Sequence, residues 1–201
     1  MNHPLRCQCG TLKGHVSLAG HINRAVCYCK DCQAFARYLG KDNEVLDAMG
    51  GTDIVQTQPA HVVFTEGKEA LACIRLTDKG LLRWYARCCN TPIGNTASDF
   101  KLSFVGLIHN CLETSGKPLE ESFGPVRMYV STKSTKSAKG TPPSSPLRTT
   151  AAIFGIFAMI ARARINGSYK RTPFFDAERG APVAAPKVLS PEELARARHP
   201  A

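Results

Sequence analysis

No cysteine follows Cys111 in this 201-residue chain, although nine stand between Cys7 and that point. A random scatter would not leave so long a tail empty, so the thiols belong to one folded unit. Nor is there an apolar stretch long enough to span a bilayer: the longest run, Ala151 to Ala161, falls well short of a transmembrane helix. The opening residues, Met-Asn-His-Pro-Leu-Arg-Cys, show no charged segment leading into an apolar one, so a secretory leader is not expected. No internal repeat and no nucleic-acid motif is present, and aromatic residues are not interleaved with the basic ones. Low hydrophobicity is also missing. At 43% hydrophobic residues the chain has material for a buried core and is not disordered as a whole.

Many cysteines serve either disulfides or metals. An odd count cannot pair completely within the chain, and the start lacks a secretory signature. Reduced thiols in a cytoplasmic setting are therefore expected, and clustered reduced thiols suggest metal. The charge, +10 overall, is uneven. Residues 131–201 hold 12 Lys/Arg against 4 Asp/Glu, while residues 1–130 are nearly balanced. A basic tail can meet nucleic acid or anionic lipid, although a solvated extension is the plainer expectation.

Short β-type runs dominate the first 110 residues. Residues 5–18 read as a strand or hairpin with Gly10 and Gly14 as turn or bulge points, and 23–29 as a strand. Residues 31–39 read as a short helix that Asp31 caps and Gly40 ends. Further strands are expected at 52–57, 61–65, 70–77, 81–86 and 102–108. Cys88 to Pro92 should be a loop, because Pro92 has no ladder donor. The Ser/Thr/Lys/Pro-rich residues 131–148 read as a flexible loop. An amphipathic or buried helix is expected over 149–165, stopped by Asn166-Gly167. Ser190-Pro191-Glu192-Glu193 is a capping-box start for a terminal helix. The domain layout is thus a β domain over 1–130, the loop at 131–148, and a helical extension over 149–201 that packs on the β domain.

The strongest chemical signal is Cys27-Tyr28-Cys29-Lys30-Asp31-Cys32. Residues i and i+2 of a strand share a face, and a turn after Cys29 returns Cys32 to the same point. Three thiolates suit zinc and leave a fourth tetrahedral position free, as in catalytic sites. A second pair, Cys7 and Cys9, needs partners from elsewhere, and Cys88 and Cys89 are the candidates. Cys73 and Cys111 stand alone in apolar strand contexts and read as small core residues. His15, His21, His61 and His109 lack ligand spacing to one another or to the cysteines.

The order C-x-C-G, then C-x-C-x-x-C, then a Cys before Thr-Pro-Ile, resembles the glutathione-dependent formaldehyde-activating enzyme family, also called the GFA or CENP-V domain family. The likeness covers roughly residues 5–110, and Cys-Cys-Asn-Thr-Pro at 88–92 is similar to an uncharacterised branch of it. It implies a mainly β, β-tent-like zinc-binding domain of short antiparallel strands, here with a C-terminal helical extension. It also implies up to two Zn2+ ions. Cys7 and Cys9 would join a later Cys pair around a structural ion, and Cys27, Cys29 and Cys32 would hold a catalytic one. At the later motif Cys89 aligns with the second cysteine, Ala86 stands where the first should be, and Asn90 replaces a glycine. Cys88 is positioned to supply the missing thiolate. The implied activity is a carbon–sulfur lyase or synthase acting on an adduct of an aldehyde with glutathione or another small thiol. Lys30, Arg24 and Arg37 are the nearby cations for its carboxylates. The other functional class that fits is a non-catalytic, zinc-stabilised binding or regulatory module.

Overall fold

A computed structural model of the chain describes residues 1–112, 118–135 and 145–199. Ten strands form the bulk of it: β1 Asn2–Arg6, β2 Lys13–Ser17, β3 Asn23–Cys27, β4 Thr52–Thr57, β5 Val62–Glu66, β6 Leu71–Arg75, β7 Leu82–Ala86, β8 Thr91–Thr96, β9 Val105–Ile108 and β10 Val126–Val130. Three two-residue strands follow, β11 Phe175–Asp176, β12 Ala181–Pro182 and β13 Lys187–Val188. The helices are α1 Lys30–Tyr38, α2 Asp42–Val45, α3 Leu119–Phe123, α4 Pro146–Ile165 and α5 Pro191–Arg198.

An eight-stranded sheet in the order β10-β3-β4-β9-β8-β7-β6-β13 is the frame, and β1-β2-β5 form a smaller antiparallel sheet. The six inner strands of the frame pair antiparallel, while β10 and β13 add to its edges in parallel. Strand alternation sends neighbouring residues to opposite faces. Cys73 and Leu107 enter the core shared with Leu5 and Val16 of the small sheet, whereas Ile74 and Ile108 meet Phe35 of α1 and its C-cap Leu39. The frame therefore has the small sheet on one face and α1 with α5 on the other. The fold is mainly β with C-terminal helices, as expected.

Three local readings change. Pro92 lies inside β8, opposite Tyr85, where the β7–β8 register slips. A bulge interrupts ladder pairing, so the missing N–H costs little there. Asp31 does not cap α1. Cys29 is the N-cap, its Sγ accepting the Cys32 N–H at 3.3 Å, and Asp31 instead pairs with Arg198 of α5 at 2.8 Å. The third concerns the helix expected over 149–165. It starts earlier, with Ser145 as N-cap and Pro146 in its first turn, and ends at Asn166 and Gly167 as read. It is not a buried helix: only Ala152, Met159 and Ala163 are buried. Gly10 turns with φ 77°, and Gly14 sits at the β2–β5 bulge, where a Cβ would lie 2.0 Å from the Val63 carbonyl oxygen.

Of the loop expected over 131–148, residues 136–144 lie outside the described residues. Beyond α4 the chain re-enters the β core. Phe174 is fully buried, β13 extends the frame beside β6, and α5 packs on α1 behind its Ser190 capping box. Among the described residues no helix is long and apolar enough to cross a membrane.

Candidate metal centre

Two groups of sulfurs converge, each with all its Sγ atoms within 4.8 Å of one another: Cys7, Cys9, Cys88 and Cys89, and separately Cys27, Cys29 and Cys32. Every cysteine is a free thiol. The first group joins two turns that lie far apart in sequence. Cys7 and Cys9 follow β1, and Cys88 and Cys89 occupy the turn between β7 and β8. A hydrogen bond from the Gln8 N–H to Thr91 Oγ1, 3.0 Å, clips the turns together. Sulfur–sulfur separations are 3.5 Å for Cys7–Cys9, 3.7 Å for Cys7–Cys88, 3.3 Å for Cys9–Cys88 and 3.8 Å for Cys88–Cys89. A tetrahedral ion with bonds of ~2.3 Å to thiolate has edges of ~3.8 Å. The group therefore fits a four-thiolate metal site with little adjustment.

Adjacent cysteines can share that site because the turn bends sharply after them. Asn90 adopts φ 55°. Asparagine is among the few residues that tolerate this left-handed region, so the turn forms without a glycine. The Thr11 hydroxyl and backbone hold the Cys9 thiol down at about 6, whereas desolvation and hydrogen bonds to Cys9 and Cys7 push Cys88 up to about 12. Binding an ion would expel the remaining protons.

The second group sits at one junction. Cys27 ends β3, Cys29 caps α1, and Cys32 lies in that helix's first turn. The positive end of a helix favours a thiolate at its cap. Hydrogen bonds from Cys27 and then Cys32 hold Cys29 well below the usual thiol range. Cys27 is pushed far up by its bonds to Cys29 and Cys32 and by burial. Cys27 and Cys32 are buried, and Cys29 is half-buried.

A residue that sequence reasoning missed completes this group. Arg83 of β7 is only 3% exposed, with Nη1 4.0 Å from Cys32 Sγ and 3.2 Å from Asn95 Oδ1, and its guanidinium over the Phe35 ring at 5.5 Å. Among the described residues it makes no carboxylate ion pair. A buried cation needs compensating negative charge nearby. Three thiolates around a divalent ion carry a net −1, which Arg83 would neutralise. Arg83→Met, which keeps most of the volume, is expected to weaken metal retention at this site by about 10–100-fold, the usual size of an outer-shell loss. Competition against a chromophoric chelator measures it, and unchanged retention would show the arginine to be a packing residue only.

Two of the other candidate cations are engaged in structure. Arg24 pairs with Asp53 at 2.5 Å and donates to the Gly124 carbonyl, while Arg37 bonds Gln33 and the carbonyls of Ala197 and Arg198. Lys30 is exposed at the start of α1. Cys73 and Cys111 are buried outside both groups, their thiols raised by desolvation. None of the six histidines, all among the described residues, joins a sulfur group: His21 packs on Gly155 of α4, and His61 bonds Thr57.

No curated protein matches the chain. Among solved structures a protein of Rhodobacter sphaeroides, a Northeast Structural Genomics target, is similar at 18% identity. The match covers 63% of this chain and 98% of that one, with a TM-score of 0.41. Residues 1–186 match the family model described as a family of unknown function, DUF6151, and the chain belongs to that family.

Proposed function

We propose that this chain is a zinc protein of the glutathione-dependent formaldehyde-activating type. Cys7, Cys9, Cys88 and Cys89 would hold a structural ion, and Cys27, Cys29 and Cys32 a reactive one. One observation carries the reading: the sulfurs gather as a group of four and a group of three. Four thiolates saturate a tetrahedral ion, and three leave a position for a substrate. Soft sulfur donors in this geometry favour zinc. A zinc ion bound there would supply Lewis acidity and lower the pKa of a thiol in the open position.

The chain's own residues would then set the chemistry. The α1 N-terminus and Arg83 hold negative charge at the sulfurs, and Cys29 marks the accessible side of the group. The reaction adds a thiol to an aldehyde. The sulfur of glutathione bonds to the carbonyl carbon, the carbon–oxygen double bond becomes a single bond, and the thiol proton ends on that oxygen. Cys32→Ser is expected to abolish the acceleration of S-hydroxymethylglutathione formation, read by exchange NMR, with the far-UV spectrum unchanged. Full acceleration in that variant would refute the catalytic assignment.

Burial of both Cys27 and Cys32 favours a second reading, a non-catalytic module that the ions only stabilise. A wild-type protein loaded with two ions and inert toward thiol–aldehyde mixtures would select it.

A further inference from the structure

Between Ala151 and Ala161 helix α4 is apolar on all sides, and such stretches are ordinarily covered on all sides. Here only one face is. Ala152 meets Ala25 and Met128 of the sheet edge. The opposite face presents Leu147, Phe154, Phe157 and Ile165 at 80, 74, 66 and 88% exposure, with Ile153 beside them at 41%. At 3.6 residues per turn Leu147, Phe154 and Ile165 fall on one stripe, with Phe157 alongside. Arg164 lies on one edge of the stripe and Arg148 and Arg162 on the other.

The surrounding sequence is equally one-sided. Between Glu121 and Asp176 there is no acidic residue, while Arg127, Lys133, Lys136, Lys139, Arg148, Arg162, Arg164, Lys170 and Arg171 fall in that stretch. A second copy of the chain, set helix against helix, would bring arginine to arginine with no carboxylate on either helix to separate them. An anionic lipid surface meets both needs. It takes the apolar stripe into its acyl boundary, and its headgroups meet arginines whose stems lie along that boundary. We infer that α4 is an interfacial anchor that seats this protein on anionic membranes, lying in the plane of the surface without crossing it.

The test is co-sedimentation of the full-length protein with vesicles of phosphatidylcholine alone or mixed with phosphatidylserine. Binding to the anionic vesicles should exceed binding to the neutral ones by more than about tenfold and weaken as salt rises. Phe154→Asp with Phe157→Asp should reduce it by more than about a hundredfold, with the circular dichroism spectrum unchanged. Arg148→Gln, Arg162→Gln and Arg164→Gln together should lower it and flatten its salt dependence. No binding to anionic vesicles at low salt would overturn the inference, as would binding that survives the Phe154/Phe157 change. A wild-type dimer in sedimentation velocity that this change dissolves would assign the face to a second copy instead.

Discussion

Truncating the chain after Arg171 is expected to abolish cooperative folding, although the removed segment lies outside both sulfur groups. Phe174 is buried with its ring 5.2 Å from Trp84 and 5.6 Å from Phe64, centroid to centroid. Phe175 stands 6.0 Å from Trp84 and 6.1 Å from Phe100. Replacing one such ring by alanine costs about 3–5 kcal/mol, and a domain's whole stability is about 5–15 kcal/mol. Two lost rings would consume most of that. The cut also removes β13 from beside β6 and α5 from α1, and leaves Leu189 and Ala197 out of the second core. The milder Phe174→Ala should fold but lose about 3–5 kcal/mol in urea unfolding. A truncated chain with a wild-type urea midpoint would mean that the β domain stands without its tail.

That dependence was only partly legible in the sequence. The residues of strong β character at 62–64 marked their strand, because residue propensity is a local property. The Ser190 capping box likewise marked the last helix, since both partners lie within one turn. Phe174-Phe175 carries no such pattern. The strand that Phe175 opens, Phe175–Asp176, is too short to show a period, and the partner rings are fixed only by tertiary packing. The sulfur groups were legible because ligand spacing is a local property of C-x-C and C-x-x-C. Arg83 was not, because a single arginine in an apolar strand has no spacing to recognise. Its role depends on β7 lying across from the start of α1, which only the sheet order fixes. Asp31 was misassigned as the cap of α1 for a related reason. Aspartate is the statistically favoured cap, but here the chain turns at Cys29, two residues earlier, so a sulfur meets the free amide first.

The two sulfur groups are expected to differ in what they do for stability. A structural zinc bound by thiolates contributes apparent binding free energy of about 10–16 kcal/mol in small domains, so removing one can unfold its host. The group of four closes the chain between Cys9 and Cys88, two turns that the Gln8–Thr91 hydrogen bond also joins and whose Cys7 enters the same core as Ala86. The group of three spans only Cys27 to Cys32, a junction already held by β3 pairing on both sides and by the first turn of α1. Cys9→Ser with Cys88→Ser should therefore lower the melting temperature far more than Cys29→Ser, while each variant loses one ion per chain by mass spectrometry. Cys88→Ser and Cys89→Ser, made singly, should each weaken the ion without expelling it if both sulfurs bind, since a neighbouring thiolate or water fills the position. Equal melting temperatures for the two group knockouts would mean that the group of four closes no loop that packing had not already closed. The stabilising role assigned to it would then pass to Trp84 and the phenylalanines around it.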